Sequence, residues 1–341
     1  MSEKSGETRG TSQTPSEPYA GFGDQGKAGL DLAQRLEPLS FDPEKDCKAL
    51  DEPLVDSYLR HYRLPLAEDH PGLRQGLGSV HAAGFDWAAH YWLPERPRGC
   101  LIVVHGYFDH IGLYGHAIRY GLERNWAVLG YDHPGHGLSL GSRLCIDNFD
   151  HYADALQALL QQAQPLLFGP IHSLGQSMGG AVLLNHLWRY GPGLTGQTAL
   201  LAPLVLPRGW RWLRWLHGLL TPWTSQLPRR FTDSSHDAAF NRFLVQQDCL
   251  QDKHISLRWI SAMAEWHKRF VKLPERQEDW LVIQGDADGT VDGRYNLRQI
   301  RAKLPRVQTV MIPGADHHLV NESAAYRQPV FEALDKFWDN A

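Results

Sequence analysis

The sequence predicts an α/β fold, a mostly parallel, doubly wound sheet with a helical lid inserted ahead of a late strand. Three observations carry this expectation. Apolar runs of strand length recur along the chain, "CLIVVHG", "WAVLGYD", "TALLAP" and "WLVIQG" among them, and their unbroken hydrophobicity is that of strands buried on both faces. Amphipathic stretches of helical period alternate with them. Between "LLAP" and "WLVIQG" lie roughly 75 residues with no strong strand, too long for a simple loop in a compact domain.

The elements follow in order. Residues 1–45 are rich in Ser, Gly, Glu and Pro; such a composition buries too little apolar surface to offset chain entropy, which predicts a disordered tail and leaves 46–340 for the folded domain. "PLVDSYLRHYRLPL" reads as a short amphipathic helix. "SVHAAGFDWAAHYWLP" reads as two strands around an Ala83-Gly84 turn. Six strands come next, in "CLIVVHG", "WAVLGYD", "PIHSLG", "TALLAP", "WLVIQG" and "VQTVMIPG". Helical patterns over 148–164, 177–190, 293–304 and 324–339 alternate with them. The strandless interval, about 204–276, is the expected lid.

Composition removes several function classes. The 341 residues suffice for one large α/β domain or two small ones, and 43% are hydrophobic, enough for a sizeable core. With 34 basic and 38 acidic side chains the net charge is −4, so no global field favours nucleic acid. The longest apolar runs fall short of the about 20 residues of a membrane-spanning helix, and "MSEKSGETRG" lacks the apolar core of a signal peptide. The expectation is a cytoplasmic protein. Cys47, Cys100, Cys145 and Cys249 are scattered without a CxxC pair, which fits free thiols in a reducing compartment.

The chemistry centres on "GQSMGG", Gly175 to Gly180. It follows a strand and opens a helix, the context that a G-x-S-x-G elbow requires. Small neighbours allow Ser177 a strained turn with Oγ exposed, above a helix N-terminus that offers free N–H groups. A serine hydroxyl needs a base, and the base needs an orienting acid. In such sheets the order along the chain is Ser, acid, His. "WLVIQGDADGTVD" supplies the acid: Asp288 stands three residues past Gly285, far enough to turn off the strand end, whereas Asp286 and Asp292 suit turn formation. "MIPGADHHLVNE" supplies the base, with His317 favoured over His318.

Acyl transfer also develops an oxyanion, and each preorganised N–H donor lowers its barrier by about 3–4 kcal/mol. One donor is the backbone N–H of Met178, after the nucleophile. The second comes from the loop after an early strand, here "HGYFDH", where Gly106 allows a close turn and Tyr107 presents its N–H. His105 and His110 are read as braces of that loop. His133 and His136 in "YDHPGHGLS" have neither an HxxEH pattern, a Cys pair nor a carboxylate cluster beside them. No metal and no cofactor is expected.

Taken together the motifs resemble the α/β-hydrolase superfamily, and within it the monoacylglycerol lipase and bacterial lysophospholipase group of serine aminopeptidase-like hydrolases. The group's HG-x-x-[ED]-H-x-x-x-Y block is matched from His105 to Tyr114, with Asp109 where the lipases often have Glu. D-x-x-GHG-x-S is matched from Asp132 to Ser139, G-[HQ]-S-[MT]-GG at Gly175 to Gly180, G-x-x-D at Gly285 to Asp288, and G-A-x-H at Gly314 to His317. The resemblance implies a serine esterase acting on a single-chain acyl lipid. A short-chain carboxylesterase, a thioesterase or an aminopeptidase would use the same triad, and a non-catalytic binding protein on this fold is the alternative from another class.

The lid does not align with the group. It begins "RGWRWLRWLHGLLTPW", with Arg208, Arg211 and Arg214 on one helical face and Trp212, Leu213, Leu216, Leu219 and Leu220 on another. Trp210, Trp212, Leu213 and Leu216 are the candidate substrate or lid residues. A basic, Trp-bearing amphipathic helix suits a bilayer interface, the lining of an acyl pocket, or plain packing on the domain. The expected partners are therefore a small acyl ester and, through the lid, a membrane or micelle surface.

Overall fold

A computed structural model describes residues 27–47, 50, 52–64, 70–193 and 196–339. An antiparallel hairpin opens the sheet, β1 (Arg74–Ala82) and β2 (Phe85–Leu93). Ala82 pairs with Phe85, and the two turn residues between them, Ala83 and Gly84, both have positive φ, 54° and 79°. This is the mirror-image turn that matches strand twist. Six further strands complete the sheet: β3 (Gly99–Val104), β4 (Trp126–Tyr131), β5 (Ile171–Gln176), β6 (Thr198–Leu201), β9 (Leu281–Gly285) and β10 (Gln308–Ile312), with β7 (Gln226–Pro228) and β8 (His254–Ser256) lying between β6 and β9 in the chain. The order is β1-β2-β4-β3-β5-β6-β9-β10. Every pairing from β4 to β10 is parallel, and β2 pairs antiparallel to both β1 and β4. The expected α/β architecture is thus present.

Side-chain alternation along the strands feeds two cores, one on each face. In β3, Cys100, Ile102 and Val104 enter one apolar cluster, while Leu101 and Val103 enter the other. Helices α5 (Asp150–Gln162) and α6 (Met178–Tyr190) cover the first face. Helices α4 (Gly115–Glu123), which sequence reading did not anticipate, and α11 (Ala324–Trp338) cover the second. The register brings the strand ends level: Val104 pairs with Gly175, Gln176 with Leu201, and Gly285 with Ile312. The loops that carry the candidate residues therefore leave one carboxyl edge, where ligands bind in open α/β sheets.

Three expectations need correction. The tail was expected to run to residue 45, and residues 1–26 of it lie outside the described residues. Residues 27–45 instead form helix α1 (Lys27–Arg35) and the start of α2 (Pro43–Asp46), ahead of α3 (Pro53–His61). Leu32 is 1% exposed and Phe41 2%: a few apolar residues in polar surroundings dock onto a core that already exists. The lid holds helices α7 (Trp210–Leu220), α8 (Ala238–Gln246) and α9 (Leu257–Phe270), but also a two-stranded ribbon of β7 (Gln226–Pro228) and β8 (His254–Ser256). Only part of it is superficial. Ile260, Met263, Trp266 and Phe270 of α9 are almost fully buried in the first core, and Arg269 clamps Asp150 of α5 through two hydrogen bonds of 2.9 and 2.6 Å.

Helix α7 also turns differently from the reading of its faces. Leu213, Leu216 and Leu220 are half-buried, whereas Trp212 and Trp215 are each 64% exposed and Leu219 54%. Trp212 and Leu219 thus leave the leucine face on which they were expected and join exposed Arg214 on the outer one. The side chain of Arg211 lies outside the described residues. Among the described residues, no helix is long and apolar enough to cross a membrane.

Candidate active site

Ser177 joins β5 to α6 with φ 54° and ψ −115°, a region that L-residues avoid at a cost of order 1–3 kcal/mol. The surroundings hold it there. Its N–H donates to Leu201 O (2.8 Å), and its carbonyl accepts from Leu204 and Gly180, both 3.0 Å. Glycine is required where the elbow meets the sheet, because a Cβ on Gly179 would sit 2.0 Å from Val104 O. The strain lifts Oγ to the top of the sheet.

The loop after β10 brings His317 to Ser177, with Nε2 2.9 Å from Oγ. The loop after β9 brings Asp288 to the other ring nitrogen, with Oδ2 2.8 Å from Nδ1. The carboxylate is itself fixed. Oδ1 accepts the N–H groups of Thr290 (2.8 Å) and Val291 (3.0 Å), and Oδ2 accepts Gln284 Nε2–H (2.9 Å). Gln176 Nε2–H donates to the His317 carbonyl at 2.8 Å. All three candidate side chains are buried but for a small opening.

Burial disfavours the imidazolium of His317, yet the charge of Asp288 and its hydrogen bond outweigh this and raise the pKa above the usual 6.5. Burial likewise works against the Asp288 carboxylate, and His317 with the Val291 and Thr290 N–H groups lowers its pKa nonetheless. The pair is thus set to hold a proton on the ring and a negative charge on the acid.

The competing residues take other tasks. Asp292 caps α10 (Gly293–Lys303) through Tyr295 N–H, and Asp286 Oδ1 accepts Gly314 N–H at 2.6 Å. His318 turns away to Asp109, 3.3 Å between Nε2 and Oδ2. His105 Nε2 accepts the N–H of His133 at 2.9 Å, and His110 Nε2 lies 3.2 Å from Asp248 Oδ2; both histidines brace their loop. Burial pushes the pKa of His133 and His136 well down. Among the described residues, no group of three or more His, Cys, Asp or Glu converges as metal ligands.

The "HGYFDH" loop passes directly over Ser177. A Cβ on Gly106 would lie 2.8 Å from Asp109 Oδ2 and 3.3 Å from Ser177 Cβ, so only glycine permits this approach. Gly106 N–H donates to Tyr114 Oη (3.0 Å), and Tyr114 in turn donates to Asp109 Oδ2 (2.8 Å). Among the described residues, neither Tyr107 nor Met178 spends its backbone N–H on a protein acceptor.

Of the four lid candidates, Trp210 and Leu213 pack against the first core, Leu216 is half-buried and Trp212 faces outward. The sequence reading missed Gln284, Asp248, Gln251 and Trp259. Gln284 lies inside a recognised strand, where its polarity in an apolar run is a signal. The other three lie in the lid, whose pattern gives none.

Residues 95–324 match the family model described as serine aminopeptidase, S33. The chain is 36% identical over 275 residues to the human monoglyceride lipase, covering 75% of this chain and 88% of that protein. It is 33% identical over 260 residues to the mouse monoglyceride lipase, covering 71% and 83% respectively. Its fold is similar to that of a soluble variant of the Saccharomyces cerevisiae monoglyceride lipase solved with a substrate analogue, with a TM-score of 0.67, 17% identity, and 77% and 94% of the two chains covered.

Proposed function

The chain belongs to the serine aminopeptidase S33 family of α/β-hydrolases, in its monoacylglycerol lipase-like group, and from that premise we propose that it cleaves the ester of a single-chain acyl lipid, a monoacylglycerol or lysophospholipid, by way of an acyl-enzyme. The observation that carries the chemistry is the unbroken line from Ser177 Oγ through His317 to Asp288, at 2.9 and 2.8 Å. The likeness to the human monoglyceride lipase supports the substrate class.

In this reading His317 Nε2 takes the Ser177 proton as Oγ attacks the ester carbonyl. Asp288 holds the ring in the tautomer with Nδ1 protonated and stabilises the imidazolium. The N–H groups of Tyr107 and Met178 hold the oxyanion of the tetrahedral intermediate. His317 then returns the proton to the leaving alcohol oxygen as its bond to the acyl carbon breaks. Water, deprotonated by the same base, releases the fatty acid and restores Ser177. Every proton is handled by these side chains, so the cycle calls for no cofactor.

The lid adds a surface. Trp212, Trp215 and Leu219 follow one another at helical spacing on the outer face of α7, and Trp223 beyond it is 85% exposed. Exposed tryptophans beside Arg214 suit the headgroup boundary of a bilayer or micelle, from which a single-chain lipid would be drawn.

The test is the purified protein offered a monoacylglycerol, lysophosphatidylcholine, a chain-length series of p-nitrophenyl esters and an aminoacyl naphthylamide. Turnover greatest on the acyl lipids and long-chain esters is expected. Preference for the aminoacyl substrate rejects the lipid reading.

A further inference from the structure

The lid reaches the oxyanion loop through its buried part. Trp259 of α9 stacks on the ring of Tyr107, with centroids 3.8 Å apart and planes 19° from parallel. Its indole N–H points at Met178 Sδ, 3.3 Å away. One side chain thus touches both residues whose backbone N–H groups are left free above Ser177. Trp259 is itself held: it is 6% exposed, it stands one residue before the buried Ile260, and its backbone N–H donates to Ser256 Oγ at 3.4 Å. Ser256 N–H also donates to Tyr107 Oη at 3.3 Å, while that hydroxyl donates to Leu144 O at 2.9 Å.

The next residue of the loop is gripped as well. Phe108 has φ 73°, a conformation that persists in a non-glycine residue only where its surroundings enforce it. Its carbonyl accepts Gln251 Nε2–H at 2.9 Å, and its ring lies 3.8 Å beneath the Arg229 guanidinium. Arg229 in turn donates to Gln251 Oε1. From the core, Tyr114 holds the loop on both sides of the Tyr107–Phe108 peptide, since its hydroxyl accepts Gly106 N–H and donates to Asp109 Oδ2. The direction of the Tyr107 peptide is therefore set between a core anchor and a lid anchor.

We propose that Trp259, assisted by Gln251, is a positioning residue that aims the Tyr107 and Met178 N–H groups, so that the lid sets the rate of acyl transfer itself as well as the choice of substrate. The inference rests on the roles given above to Ser177, Tyr107 and Met178. Its consequence is specific. A lid that only selects lipids leaves the hydrolysis of a minimal ester untouched when altered. A lid that aims the oxyanion donors slows every ester, because donors displaced by about 1 Å lose much of their effect on the barrier.

The experiment compares Trp259→Leu, Trp259→Phe, Gln251→Ala and Ser177→Ala in the full chain. The readouts are turnover of p-nitrophenyl acetate and inhibition by a short-chain trifluoromethyl ketone, whose adduct with Ser177 carries an oxyanion. Trp259→Leu keeps an apolar side chain and loses the stack; it lowers kcat by about 10- to 100-fold with KM within about threefold, and weakens the ketone in parallel. Trp259→Phe restores a ring over Tyr107 and recovers most of both. Gln251→Ala, which removes the half-buried hydrogen bond to the Phe108 carbonyl, lowers kcat in the same sense by about three- to tenfold.

Unchanged p-nitrophenyl acetate turnover in Trp259→Leu, or a loss confined to long-chain esters, overturns the proposal. Should Trp259→Leu fail to fold, Gln251→Ala decides, and unaltered kcat and ketone affinity there overturn it. Retained turnover in Ser177→Ala instead removes the underlying assignment of the nucleophile, so the two failures are distinct.

Discussion

His317 Nε2 lies 2.9 Å from Ser177 Oγ across 140 residues of chain, with its ring held from behind by Asp288. In the proposed mechanism His317 acts as a base only as neutral imidazole. Because its pKa is raised above 6.5, protonation silences the enzyme as pH falls through that raised value. The kcat/KM profile therefore rises with pH through a midpoint above 6.5. Asp288→Asn removes the charge that raises it, so the midpoint falls, and kcat drops by about 10⁴ because the wrong tautomer faces Ser177. A pH series on p-nitrophenyl butyrate for the two proteins checks both shifts; a midpoint unmoved in the variant contradicts this account of the base.

A second buried ion pair fastens the lid to the core. His110 and Asp248 have side chains with no exposed surface, and Asp248 also accepts from Tyr62 Oη at 2.7 Å. Burial opposes the charge on each; the partner's charge prevails, raising the His110 pKa and lowering that of Asp248. Removing one member strands the other. Asp248→Ala is expected to lose about 3–5 kcal/mol of stability, whereas replacing both by apolar residues loses much less. Urea denaturation of the single and double variants measures the difference.

His90 is a buried liability of another kind. It is 1% exposed and stacks on Trp92 at 3.6 Å, with no hydrogen-bond partner on either nitrogen among the described residues. Burial lowers its pKa from 6.5 to about 3. A depressed histidine is neutral in both states above 6.5. Below that, the unfolded chain takes up the proton first, so stability falls as pH falls. From pH 7 to pH 5 this residue alone costs about 2 kcal/mol. His90→Leu is expected to flatten the loss over that window, measured by thermal melts at the two pH values.

Much of the site was legible because its signals are local. Ser177 announces itself through a strand, three glycines and a helix within a few residues. Asp288 and His317 follow from chain order and from the loops that end two apolar strands. Residues 27–45 were misread because Leu32 and Phe41 are buried by a core built from distant segments, which their own polar surroundings cannot reveal. The faces of α7 were misread for a related reason. Leu and Trp occur all around that helix, so periodicity alone does not say that Leu213 turns inward and Trp212 outward. Trp259 and Gln251 gave no sign at all, since their significance lies in what they touch.

The outward tryptophans make a separate expectation. Trp212→Ser and Trp215→Ser, combined, remove exposed aromatic surface without disturbing the core. Hydrolysis of monoacylglycerol in anionic phospholipid vesicles is expected to fall by about tenfold, following lost binding of about 1–2 kcal/mol. Turnover of a soluble short-chain ester stays unchanged. Vesicle sedimentation and the two assays measure these together.

The most direct test of the central claim is intact-mass analysis after reaction with a fluorophosphonate, with peptide mapping of the adduct. The expected result is one adduct per chain, on Ser177, formed in step with the loss of lipid hydrolysis and absent from Ser177→Ala and from protein whose His317 is replaced. An adduct on another residue, or full hydrolysis by Ser177→Ala, would contradict it.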